Sequence, residues 1–189
     1  MASDFIEHRP LSGTVWIDEK YVPVNGSLTT FKPDGKRYRG LSRNQLCICC
    51  GVDDRGRRFA ELAGRGHPRA ATCDRVYSAH ISKGSYICHD EFNGHSKFIG
   101  SNGGSHSVFP SYKRESLPFM QPINSFCAQL ERKFVVHVGT WSKYVQLYLD
   151  WCVFETMMEG MSAAQKVAFI LSASRKTNTV FRVKDRYHL

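Results

Sequence analysis

Cys47 and Cys50 have two residues between them, with Gly51 directly after the pair. A Cys-x2-Cys pair on a tight turn is the usual half of a tetrahedral zinc site, and a following glycine takes the backbone conformation such a knuckle needs. A second pair must come from further along the chain. Cys88 is the third thiolate. For the fourth ligand the spacing leaves several residues open: His95, His89 and Glu91, with Cys73 and His80 further back. His95 is preferred, because adjacent residues such as Cys88 and His89 seldom chelate one ion and a carboxylate is a harder ligand than structural zinc favours. The candidate metal set is therefore Cys47, Cys50, Cys88 and His95. Such a site is closed and does no chemistry, so the reading is of a protein that is not an enzyme.

Three other chemistries compete with this one. His80, His89, Asn93, His95 and Asn102 offer a general base and ligands for a ββα-metal nuclease, but no clear helix follows Asn93. Cys88 and His89 form a nucleophile and base only on paper, since neighbouring side chains diverge and no orienting acid is evident. The glycines at 100, 103 and 104 lack the lysine and the strand-helix context of a phosphate-binding loop.

Charge points to a polyanion. The 189 residues carry a formal net charge of +9. Between Lys36 and Arg75 there are ten basic residues against four acids. Nine of the ten are arginine, the better residue for bidentate contact with phosphate or guanine. Arg55, Arg57, Arg58, Arg65, Arg69 and Arg75 are the candidate contacts to duplex DNA. A composition of 42% hydrophobic residues excludes a disordered chain. No run approaches the ~20 apolar residues of a membrane helix. The first ten residues, with Asp4 and Glu7, do not read as a secretory signal. Seven cysteines, an odd number with five of them between 47 and 88, argue against a disulfide framework, and the expected home is the nucleus.

The elements that would position these residues fall into three stretches. Residues 1–46 read as a β-rich arm, with strands at 13–17 and 21–24 joined by a turn at Asp18-Glu19-Lys20. Asn25-Gly26 and Pro33-Asp34-Gly35 are turn signals, and Lys36 to Arg43 is a basic exposed run. Residues 47–119 are polar and glycine-containing, with one or two helical turns at Arg57–Ala63 and a flexible linker over 100–118. Residues 120–189 form a helical packing or oligomerisation domain. Ile123, Phe126, Cys127 and Leu130 have helical spacing, a second helix runs from Trp141 to about Met158, and Ser162 caps a third. Residues 179–183 alternate like a final strand.

The stretch from Cys47 to Phe119 resembles the THAP-type zinc finger. Cys47 and Cys50, then Ile87-Cys88 with Phe92, then Leu117-Pro118-Phe119 match the motif order, although the family's histidine position holds Glu91. The Cys152-Val153-Phe154-Glu155-Thr156 stretch adds a likeness to nematode chromatin regulators of the synthetic-multivulva group. The resemblance implies a β-α-β core, a zinc cofactor and DNA binding. The expectation is an α+β protein: a small zinc-stabilised finger, an N-terminal β arm and a C-terminal helical domain. It would act as a transcription or chromatin regulator, with a protein partner or self-association through residues 120–189. A zinc-stapled interaction module is the alternative.

Overall fold

The computed structural model describes residues 10–23, 45–136 and 144–174. The basic run at 36–43, both turn signals, the helix start at 140–142 and the strand expected at 179–183 lie outside them.

The protein is a mixed α+β structure built on a five-stranded sheet in the order β3-β2-β1-β4-β5. The strands are β1 (Thr14–Pro23), β2 (Gln45–Asp53), β3 (Arg58–Arg65), β4 (Tyr86–His89) and β5 (His106–Val108). β1 and β3 flank β2 antiparallel, whereas β4 runs parallel to β1 and β5 parallel to β4. Parallel neighbours need crossovers. α1 (Ala70–His80) lies between β3 and β4 in sequence, and α2 (Ser96–Asn102) between β4 and β5.

β1 is one strand of ten residues, not two pieces. Asp18-Glu19-Lys20, read as a turn, pairs through its whole length with Cys50, Cys49 and Ile48 of β2. The polar triplet is tolerated because each side chain has a partner. Likewise Arg58–Arg65 is a strand rather than the one or two helical turns expected over Arg57–Ala63. Its alternation is set by Phe59, which packs on α1, and its register with β2 shifts between Cys47 and Ile48. As the outer strand β3 is partly shielded: Gln146 accepts from Leu62 N at 2.8 Å and donates to the Ala60 carbonyl at 3.1 Å.

The sheet is covered on both faces. Val15, Ile17, Cys49, Phe59 and Ile87 pack against Cys73, Val76 and Tyr77 of α1 and Phe98 of α2. On the other face Val22, Ile48, Cys50, Val52 and Cys88 meet α3 (Gln121–Val136) and α4 (Val145–Thr156). The helical spacing of Ile123, Phe126, Cys127 and Leu130 is the stripe α3 buries here. α5 (Ala163–Ser174) begins at a reciprocal cap: Ser162 Oγ accepts from Gln165 N, and Gln165 Oε1 accepts from Ser162 N. No helix among the described residues is long and apolar enough to cross a membrane. A zinc-stabilised β-α-β finger is not what organises residues 47–119. β2 and β4 are inner strands of the sheet, and β5 and the last turn of α2 fall within residues 100–118, expected as a linker.

Candidate active site

Strand parity decides which side chains meet. Along β1, Val15 and Ile17 face α1, while Trp16 and Val22 face α3. Asp18 shares the parity of Trp16 and opens on the α3 side. β4 pairs with β1 at a constant offset, Thr14 with Tyr86, Val15 with Ile87 and Trp16 with Cys88. That pairing ends at Trp16 and Cys88; Asp18 lies two residues further along β1, and Asp90 is the residue directly after the end of β4. The two aspartates line one cleft of about 100 Å³. Asn124 of α3 closes it from the helix side, with Met120, and Ser116 and Leu117 form the adjoining wall. Trp16 Nε1 ties that wall down by donating to the Phe119 carbonyl at 2.8 Å.

The cleft is electrostatically strained in a particular way. Burial, then the neighbouring charges of Glu19 and Asp90, push the Asp18 carboxyl up to about 7. Asp90 Oδ1 accepts from Phe92 N at 2.9 Å, which orients the carboxylate at the end of β4. Behind the cleft, burial lowers His95, but the hydrogen bond and charge of Glu19 outweigh it and raise the imidazole overall. Burial, and then the charge of His95, bring His89 down to about 4.

Two hard carboxylate oxygens converging beside an amide suit a hard divalent cation such as Mg2+ or Mn2+. The fit shows in Asp18 itself. Its carboxyl resists ionisation because it is buried and has the negative charges of Glu19 and Asp90 beside it, and a cation bound there would offset that penalty.

The expected zinc ligands are not brought together. Three residues apart on a strand, Cys47 and Cys50 point to opposite faces. Cys50 belongs to the α3 side, where burial and a contact with the Cys127 thiol raise its pKa. Cys88 lies on the same face as Cys50, and burial lifts it to about 11, the behaviour of a small buried hydrophobe. His95 is on the other side, bonded to Glu19. Among the described residues, the groups of three that could hold an ion are Glu19, Cys49 and Cys73, and His89, Asp90 and His95. Neither contains Cys47, Cys50 or Cys88.

The six arginines separate into two classes. Arg57 pairs with the buried Asp53 at 2.7 Å, Arg58 reaches Glu159 at 3.2 Å and lies over the Phe126 ring, and Arg75 pairs with Glu61 at 2.9 Å. Arg55 in the β2–β3 turn, Arg65 at the end of β3 and Arg69 before α1 are exposed. Of the residues read as nuclease material, His80 meets Glu61, His89 meets His106, His95 meets Glu19, and Asn102 donates to the Ser85 carbonyl.

Sequence reasoning passed over Asp18, Asp90 and Asn124. A signal was present: each aspartate ends a β-branched or aromatic run, Val15-Trp16-Ile17 before one and Tyr86-Ile87-Cys88-His89 before the other.

The family model of the ISXO2-like transposase domain, of DDE type, matches residues 10–156. No curated protein matches the sequence. Among solved structures, a chain of the simian T-cell lymphotropic virus intasome in complex with PP2A regulatory subunit B56 gamma is similar at 12% identity. It has a TM-score of 0.48, over 77% of this chain and 50% of that one, so this chain spans half the length of that relative. The catalytic core domain of BIV integrase is similar at 10% identity and a TM-score of 0.41, over 87% and 98%. Both scores fall below 0.5, and the family match alone carries the assignment.

That match corrects the zinc-finger resemblance and what hung on it. A THAP-type finger, a transcription or chromatin regulator, and a protein that is not an enzyme all give way to a domain type that cuts and transfers DNA strands. Zinc gives way to Mg2+ or Mn2+, the ions that DDE domains normally use, and the nuclease and interaction-module alternatives gain nothing. Nucleic acid as a partner class stands. All of this follows from one result: the chain belongs to the family of ISXO2-like transposase domains.

Proposed function

We propose that this protein cleaves and joins DNA strands with a divalent cation held by Asp18 and Asp90. The observation that carries the reading is the pair of aspartates, Asp18 on β1 and Asp90 directly after the parallel strand β4, lining one cleft with Asn124 inside the segment that matches the family. In one-letter code DDE spells two aspartates and a glutamate. Here the third side chain is an amide, and no glutamate lines the cleft among the described residues.

A bound Mg2+ or Mn2+ would supply Lewis-acid activation of the phosphodiester and a more acidic attacking water or hydroxyl. The chain supplies the rest. Asp18 and Asp90 hold and orient the cation, with Asp90 fixed by the Phe92 amide. The Asn124 amide can donate to a phosphate oxygen or accept from an attacking hydroxyl. Lys113 and Arg114, exposed beside the cleft wall, meet the DNA backbone, as do Arg55, Arg65 and Arg69. Arg57, Arg58 and Arg75 are already engaged in ion pairs and serve the fold first.

The test is nicking of supercoiled plasmid by the purified protein with Mn2+ or Mg2+, alongside isothermal titration of Mn2+ into metal-free protein. Asp18→Asn and Asp90→Asn should each abolish nicking and weaken Mn2+ binding at least tenfold. Binding and cleavage indifferent to both substitutions would overturn the proposal.

A further inference from the structure

Asp18 and Asp90 face the cleft, but a second polar system lies directly behind them. Glu19 follows Asp18 and, by strand alternation, turns to the α1 side of the sheet. Its side chain is 4% exposed and that of His95 is 0% exposed. Glu19 Oε1 accepts from the Tyr77 hydroxyl at 2.6 Å and pairs with His95 Nε2 at 2.8 Å. Tyr77 also lies 3.3 Å from the Asp18 carbonyl. The other nitrogen of His95 lies 3.6 Å from Asp90 Oδ1 and 3.3 Å from His89 Nδ1. A continuous chain of contacts thus runs from the backbone of one aspartate to the carboxylate of the other: Tyr77, Glu19, His95, Asp90.

The surroundings hold this chain in place. His95 sits edge-on to the rings of Tyr77, His89 and Phe92. Gly94 lets the turn close on Phe92, since an added Cβ would come within 2.2 Å of that ring. A buried acid and imidazole are expensive to desolvate, and stability alone would be served as well by apolar side chains of the same size. Metal sites commonly rely on hydrogen-bonded partners behind the ligands to fix their orientation.

We propose that Glu19 and His95 are positioning residues: from the back of the sheet they fix Asp90 against Asp18 at the spacing a divalent cation requires. This rests on the metal centre proposed above and goes beyond it, because neither residue lines the cleft.

The experiment uses the full chain carrying His95→Gln, Glu19→Gln or Tyr77→Phe, with Asp53→Asn as a control that weakens a buried ion pair away from the centre. Folding is followed by circular dichroism in EDTA, Mn2+ affinity by calorimetry on metal-free protein, and plasmid nicking as kcat and KM. His95→Gln and Glu19→Gln should each weaken Mn2+ binding about tenfold, in the range found for partners behind metal ligands. KM for DNA should not move, and the loss of kcat should be partly recovered at high Mn2+. The control should lose stability at unchanged affinity. Folded variants that bind Mn2+ as wild type does overturn the inference. So does tighter binding, which is what removal of a merely repelling positive charge would give. Should His95→Gln and Glu19→Gln not fold, Tyr77→Phe decides, since it deletes one hydroxyl: unchanged affinity there refutes the idea, and a several-fold loss supports it. Failure of the metal centre itself would show separately, as Mn2+ binding indifferent to Asp18→Asn and Asp90→Asn.

Discussion

Replacing Asp18 by asparagine should stabilise the metal-free protein, and by an amount that depends on pH. The Asp18 carboxyl is raised from 3.8 to about 7 by burial and by the charges of Glu19 and Asp90. The sign follows from linkage. Between those two values the folded state keeps a proton that the unfolded state has released, so stability is lost as pH rises through that window. A shift of about three units corresponds to ~4 kcal/mol in full. At pH 5 only ~1.7 kcal/mol of this has been lost, and at pH 8 nearly all of it. The stability gap between Asp18→Asn and wild type should therefore widen by about 2.5 kcal/mol between pH 5 and pH 8. The assay is urea unfolding in EDTA, read by circular dichroism. With a slope of roughly 2 kcal/mol per molar for a chain of this size, the difference in midpoints should grow by about 1 M. Comparing the variant with wild type at each pH cancels the other titrating groups. Added Mg2+ should then stabilise wild type more at pH 8 than at pH 5, and leave Asp18→Asn nearly unmoved. A gap that stays constant from pH 5 to pH 8, or a variant less stable than wild type at pH 8 in EDTA, would refute the reasoning.

Three further outcomes are expected. Gly51→Ala should destabilise by about 1–3 kcal/mol in thermal or urea melts, because its Cβ would lie 2.2 Å from the Phe59 ring, which is itself stacked on His80. Asp53→Ala should cost about 3 kcal/mol by the same measurement, since Asp53 accepts from the amides of Arg55 and Arg57 and pairs with the Arg57 guanidinium while fully buried. Asn124→Asp should tighten Mn2+ binding by calorimetry, because it adds a third carboxylate to the cleft; the stability of the metal-free protein should fall in parallel as negative charge accumulates beside Asp18.

The legible parts of this fold were those written by a single periodicity. The α3 stripe of Ile123, Phe126, Cys127 and Leu130 and the Ser162 cap of α5 needed only local rules. β1 was read as two pieces because Asp18-Glu19-Lys20 looks like a turn when its partners are unknown. Those partners are Asp90 across the cleft, His95 on the opposite face and Glu131 on α3, whose carboxylate Lys20 meets at 2.7 Å. All three come from more than 70 residues away in sequence, beyond the reach of a local pattern. The cysteines misled for a related reason. Cys-x2-Cys is a chelating spacing on a turn, but on a strand a separation of three puts the thiols on opposite faces. The choice between turn and strand was made by the sheet. Asn124 was hidden differently: on the exposed side of an amphipathic helix, it looks like any solvated polar residue until a cleft forms beside it.

The succession Asp18-Glu19 on the central strand ties accuracy of chemistry to accuracy of folding. A slip of β1 by a single residue would exchange the faces of every side chain along it. In one direction it would deliver Asp18 to the apolar slot of Ile17, which has no exposed surface. In the other it would bring Ile17 to the cleft and Asp18 to the imidazole of His95. Two neighbouring acids cannot themselves distinguish these arrangements. Val15, Ile17 and the bulk of Trp16 do so, by fitting only one of them. Apolar residues that lie outside the cleft therefore select which carboxylate lines it. A substitution that weakens their preference would reduce the fraction of correctly assembled molecules, while those that remained would retain full activity.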